Sequence, residues 1–104
     1  MIKGIGVDIC NMNRINDPDK LAKKILHEKE YMLYQQKKSQ QAKKEFVGGR
    51  FAVKEAYFKA CGIIPYQDIC CLNDAEGKPY ILNRSCHVSI SHEKDYVIAF
   101  IVAE

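Results

Sequence analysis

Two glycines, two residues apart inside an otherwise apolar β-pattern, constrain this chain more than any other feature. Residues 1–10 read Met-Ile-Lys-Gly-Ile-Gly-Val-Asp-Ile-Cys. Ile5, Val7 and Ile9 alternate on one face, as in a half-buried strand. A glycine inside a strand packs nothing and marks a place where another backbone or a ligand comes close. Gly4 and Gly6 share parity with Asp8, so a carboxylate is expected on the face the glycines leave open.

The rest of the chain follows from caps and periodicity. Asp17-Pro18 supplies an N-cap followed by proline at the first helical position. Helical spacing of Leu21, Ile25, Met32 and Leu33 predicts a helix from about Pro18 to Gln36. Ser39 can cap a second helix from about Gln40 to Cys61, disturbed at Gly48-Gly49, with Phe46, Val47, Phe51, Ala52, Ala56 and Ala60 on its apolar face. Gly62 and Pro65 close it. Beyond lie strand patterns at 67–72, Tyr80–Leu82, Cys86–Ser91 and Tyr96–Val102. Residues 73–79 are turn-rich, and His92-Glu93-Lys94-Asp95 is a tight hairpin. An N-terminal strand, then helices, then an antiparallel meander predicts an α+β fold. At 104 residues the chain is expected to be one domain, 1–104.

Composition narrows the function classes. No apolar run approaches the roughly 20 residues of a bilayer span, and the N-terminus lacks signal-peptide order. The expectation is a cytosolic protein without membrane partners. The five cysteines, two of them adjacent, make a poor disulfide framework. With no Cys-x-x-Cys and no histidines at finger spacing, buried reduced thiols are the expectation rather than structural zinc. The net charge of +3 understates a dense run of lysines and arginines between residues 20 and 59. That field suits an anionic partner, although solvated helix faces account for most of these lysines taken singly.

Three clusters are candidates for chemistry. Glu55 and Lys59 lie four apart on the long helix and share a face, which by itself means an ordinary ion pair. If the Asp8 strand packs on this helix, Asp8 and Glu55 bring two carboxylates together. Their repulsion is relieved by a divalent cation. Mg²⁺ takes one or two carboxylates plus water and substrate phosphates, an arrangement suited to displacement at phosphorus. Arg50, Lys54 and Lys59 are near enough in sequence to hold further phosphate oxygens. The third cluster is Ser89, Ser91 and His92. Adjacent Ser91 and His92 on a strand point to opposite faces, which excludes a hydrolase triad.

Three segments together resemble the holo-[acyl-carrier-protein] synthase family. They are Gly4-Ile-Gly-Val-Asp-Ile followed by Arg14-Ile15; Arg50-Phe-Ala-Val-Lys-Glu-Ala followed by Lys59-Ala60; and Asn73-Asp74, Gly77-Lys-Pro-Tyr80, then His87-Val-Ser-Ile-Ser-His92. The resemblance implies the 4'-phosphopantetheinyl transferase fold and transfer of phosphopantetheine from coenzyme A to a serine of acyl carrier protein, in fatty acid biosynthesis. It further implies Mg²⁺ on Asp8 and Glu55, a general-base role for Asp8 and charge stabilisation by Lys59. Arg50, Lys54 and His92 would line the nucleotide site. Arg14, Lys20, Lys23 and Lys24 would dock the acidic carrier protein, and the implied assembly is a homotrimer with shared active sites.

The chain departs from the family pattern twice. Cys61-Gly-Ile-Ile-Pro65 replaces a glycine- and threonine-rich loop, and only residues 81–86 stand where a helix is usual, so a hairpin-like link is expected there. The competing readings are a non-catalytic binding module for acidic carriers or nucleotides, and a nucleic-acid-binding domain. No aromatic-basic motif supports the latter, so no nucleic-acid partner is expected.

Overall fold

In a computed structural model of the chain, strand β1 (Gly4–Asn11) lies directly on the backbone of the long helix α3 (Gln40–Cys61). The glycines make this possible. A Cβ built at Gly4 would stand 2.0 Å from the Ala60 carbonyl oxygen, and one at Gly6 would stand 2.0 Å from that of Ala56. Two steps of strand match about one turn of helix, so strand and helix run past one another in opposite directions. The face the glycines leave bare is therefore filled by helix backbone, where the sequence suggested an open face.

The three-stranded antiparallel sheet has the order β1-β5-β4, with β5 (Tyr96–Ala103) in the middle and β4 (Cys86–Glu93) at the far edge. Gly6 pairs with Ile101, and Asp8 with Ala99. Val97, Ala99 and Ile101 of β5 pack against Ala52, Val53 and Ala56 of α3, all fully buried. Alanines on both sides keep helix and sheet close. The opposite sheet face carries Ile5, Val7, Ile9, Ile98 and Phe100, each between 41% and 61% exposed. In a single chain the alternating apolar residues of β1 thus face outward.

Three local expectations change. The segment 18–36 is two helices, α1 (Pro18–Ile25) and α2 (Glu28–Gln35). His27 divides them: its ring Nδ1 accepts from the Lys29 amide, while Glu30 reaches back to accept from the His27 amide, a capping box with histidine in the serine position. Helix α3 runs unbroken through Gly48-Gly49. The strand expected at 67–72 shrinks to β2 (Cys71–Asn73), because Tyr66–Asp68 forms a 3-10 turn; β2 pairs with β3 (Pro79–Ile81) in a separate two-stranded sheet. The short link at 82–85 turns through Asn83 in the left-handed region and delivers the chain into β4. All five cysteines are free, and Cys61 is exposed, unlike the buried thiols expected. No helix is long and apolar enough to cross a membrane.

Candidate active site

Each two-residue step along β1 moves one turn back along α3, from Ala60 at Gly4 to Ala56 at Gly6. Asp8 therefore arrives beside the turn that carries Glu55. Beyond the glycines, helix and strand have room for side chains, and Asp8 is the first to use it. Its side chain is 17% exposed. Lys59 reaches across from α3: its ammonium donates to the Val7 carbonyl at 2.9 Å and lies 3.4 Å from Asp8 Oδ1. The pairing expected between Glu55 and Lys59 is replaced by this contact with the strand.

Burial pushes the Asp8 carboxyl upward; Lys59 opposes it, through hydrogen bond and charge, and the nearby Glu55 charge pushes it up again. The net shift is upward. Burial is the largest of these effects and Lys59 outweighs Glu55, so it is loss of water that keeps the Asp8 carboxyl high, while the Glu55 charge is near enough to be felt across the strand–helix seam. Two neighbouring carboxylates on rigid elements, edged by solvent, form the donor set a hard cation such as Mg²⁺ takes when substrate phosphates complete its shell. No group of three or more His, Cys, Asp or Glu side chains gathers for a metal anywhere in the molecule. The fit is to a cation that needs few protein ligands.

Sequence reasoning missed Tyr66. Its hydroxyl donates to Glu55 Oε2 at 2.6 Å, and its ring lies against Phe51 and Phe58 at 6.0 and 5.0 Å. The Glu55 hydrogen bond first and burial second push the phenol up to about 12, so it remains a donor at any physiological pH. No sequence pattern announces this contact, which forms only because the loop ending in Pro65 returns the chain to the helix edge it has just left.

The three residues expected at a nucleotide site separate. Arg50 and His92 open on one small cleft with Glu45, Gly49, Asn73 and Gly77. There the Arg50 guanidinium is fixed by Cys71 and Asn73 oxygens and lies 4.3 Å from the Phe46 ring centre. Lys54 is excluded from any such site. Its side chain is 0% exposed, and its ammonium donates to Glu30 Oε1 at 2.6 Å and to the Tyr66 and Ile69 carbonyls at 2.9 and 2.5 Å. All three of its protons are used inside the protein. Burial lowers its pKa, and Glu30 opposes that shift.

Arg14, Lys20 and Lys24 line one cleft with Ile9, Cys10 and Phe51. Lys23 faces a different groove beside Tyr31 and Gln67, so three of the four expected docking cations converge and one diverges. Phe51 joins this cleft to the carboxylates, because it stacks on the same Tyr66 that holds Glu55.

A 4'-phosphopantetheinyl transferase superfamily model matches residues 4–101. The chain is 42% identical to a holo-[acyl-carrier-protein] synthase of Anoxybacillus flavithermus, covering 100% of this chain and 97% of the relative. A Petrotoga mobilis protein of the same name is also 42% identical, over 95% and 93% of the two chains. Among solved structures, that of a holo-(acyl-carrier-protein) synthase from Bacillus anthracis in complex with CoA (3',5'-ADP) superposes with a TM-score of 0.88. It is 41% identical, covering 98% of this chain and 96% of the other. The Neisseria meningitidis synthase gives 0.88 at 33% identity, over 100% and 99%. The Anoxybacillus alignment runs to 117 positions against 104 residues here, so that relative has segments this chain lacks.

Proposed function

The chain belongs to the 4'-phosphopantetheinyl transferase superfamily as a holo-[acyl-carrier-protein] synthase, and from that premise we propose that it transfers phosphopantetheine from coenzyme A to a serine of apo-acyl-carrier protein, with Mg²⁺, releasing adenosine 3',5'-bisphosphate. The modified carrier would serve fatty acid biosynthesis. The observation that carries the reading is the meeting of Asp8, Glu55 and Lys59, brought from two distant segments by the glycine–helix contact.

The serine oxygen attacks the pantetheine-side phosphorus of the coenzyme A diphosphate. A new P–O bond forms to serine, the bond to the bridging oxygen breaks, and the nucleotide leaves with that electron pair. Asp8 takes the serine proton through a water. Glu55, held by Tyr66, presents its carboxylate beside Asp8. Lys59 is half exposed, so its ammonium can turn from the Val7 carbonyl towards an equatorial phosphate oxygen as charge develops there. Mg²⁺ held by Asp8 and Glu55 would neutralise the diphosphate and orient the group being transferred.

Arg50 and His92 would take the nucleotide end of coenzyme A. They lie in a cleft that shares no lining residue with the Arg14 cleft, so the nucleotide and the carrier protein would not compete for one surface. The bare apolar sheet face around Val7 and Phe100 suits burial against further copies of the chain. A homotrimer is therefore part of the proposal; sedimentation equilibrium at the mass of one chain would remove it. Arg14, Lys20 and Lys24 offer a cationic approach for an acidic carrier, which raises encounter rates.

The test is incubation with coenzyme A, Mg²⁺ and apo-acyl-carrier protein. One phosphopantetheine of added mass on the carrier, abolished by chelator, is the expected result. Carrier binding without added mass would make the chain a non-catalytic binding module instead.

A further inference from the structure

The geometry points to Tyr66 as a positioning residue for the cation site: its hydroxyl fixes the Glu55 carboxylate so that one oxygen is held by the protein and the other is left for the metal. This rests on the reading of Asp8 and Glu55 as the metal-holding pair. The hydroxyl lies 2.6 Å from Glu55 Oε2, and no protein hydrogen bond engages Oε1. A glutamate on a helix edge otherwise has three side-chain torsions to settle, and its two oxygens exchange freely. One short bond from a rigid donor removes most of that freedom.

Tyr66 is itself immobilised from both ends. Its ring is wedged between Phe51 and Phe58 of the same helix that carries Glu55, four residues before and three after it. Its backbone carbonyl accepts from the buried Lys54 ammonium, which also holds the Ile69 carbonyl and Glu30. The buried Lys54–Glu30 pair, which takes no part in chemistry, thereby sets the height at which the 66–69 turn docks on α3. A chain of contacts runs from Glu30 through Lys54 and Tyr66 to Glu55. Hydrogen bonds to a metal-holding carboxylate are worth about 10- to 100-fold in metal affinity.

The variant that isolates the hydroxyl is Tyr66→Phe, because it keeps the aromatic wedge. Mn²⁺ binding to the coenzyme A-loaded protein, followed by electron paramagnetic resonance without carrier present, reads the site without turnover. Tyr66→Phe is expected to weaken Mn²⁺ about tenfold and to raise the Mg²⁺ concentration for half-maximal rate by a similar factor. The KM for carrier protein and the melting temperature should change little. A lowered melting temperature with unchanged Mn²⁺ affinity would overturn the assignment and leave Tyr66 a packing residue. Glu55→Gln, measured alongside, separates the two ideas. If it abolishes Mn²⁺ binding while Tyr66→Phe leaves the affinity unchanged, the positioning role falls alone. If Glu55→Gln leaves binding intact, the carboxylate-pair reading falls, and the role of Tyr66 falls with it.

Discussion

Lys54 and Lys59 leave helix α3 little more than one turn apart, and each meets one carboxylate from another element. Lys54 and Glu30 touch at 2.6 Å with both side chains fully buried, whereas Lys59 and Asp8 stand 3.4 Å apart with side chains 57% and 17% exposed. In the first pair every ammonium proton has a partner, and the Glu30 oxygens also accept from the His27 and Cys71 amides. In the second pair the lysine is shared with a backbone carbonyl, and the carboxyl is raised by burial first and by the nearby Glu55 charge last. A buried pair must be saturated to exist at all, because an ion without partners inside a protein costs several kcal/mol. A reacting pair must be unsaturated, because its spare capacity is where substrate charge goes. Arg14, Lys20 and Lys24 extend the series to cations with no carboxylate partner, on open surface.

The strongest way to break the comparison is to open the saturated pair. Lys54→Met leaves Glu30 charged and buried and strips the Tyr66 and Ile69 carbonyls of their donor. About 3–5 kcal/mol of stability should be lost, a large share of what a domain this size has. Denaturant titration followed by circular dichroism reads it. Adding Glu30→Leu should recover part of that loss, but not all, since the His27 and Cys71 amides then lose their acceptor. A Lys54→Met protein as stable as the parent would mean that this pair is not the structural one.

Opening the unsaturated pair should do the reverse. Lys59→Ala is expected to slow transfer by about 10²-fold, or ~2.7 kcal/mol of transition-state stabilisation, and Asp8→Ala by more. The melting temperature of Lys59→Ala should move by less than about 4 °C, because an exposed pair contributes under about 1 kcal/mol. Lys38→Ala, on an exposed stretch between α2 and α3, is the control and should leave the rate unchanged. Equal, mild losses at positions 8, 59 and 38 would erase the distinction between the two pairs.

The sequence carried some of this and hid the rest, for physical reasons. The close approach at Gly4 and Gly6 was legible because only glycine tolerates a carbonyl oxygen 2.0 Å from where a Cβ would be. The parity of Asp8 then followed. Which face was inside did not: an apolar alternation reports burial, but not whether a helix of the same chain or another molecule covers it. The break at His27 was hidden because histidine rarely caps helices, and the informative residue was Glu30, three positions on. Lys54 read as a phosphate ligand because its neighbour Glu55 belongs to the candidate site. Helical geometry separates adjacent residues by about 100°, and Lys54 falls instead on the stripe through Val47, Arg50 and Tyr57, all buried. Tyr66 could not be placed from the sequence, since its partner is eleven residues back and the intervening loop has no pattern.

The smallest expected effect lies at the open end of the series. Arg14→Glu reverses one exposed charge in the cleft shared with Lys20, Lys24 and Phe51. It removes no structural bond of the side chain, so stability should hold. Encounter with an acidic carrier should slow, raising its KM about fivefold to tenfold at low salt and less at high salt, where screening falls within about 10 Å. The KM for coenzyme A should be unchanged, because Arg14 does not line the Arg50–His92 cleft. Lys23→Glu is the sharper comparison: it makes the same charge change nine residues on, in α1, but in the groove facing Gln67. If position 23 matters as much as position 14, carrier recognition reads the net charge of the whole 14–24 segment. If only position 14 matters, it reads the cleft that leads past Phe51 to Glu55.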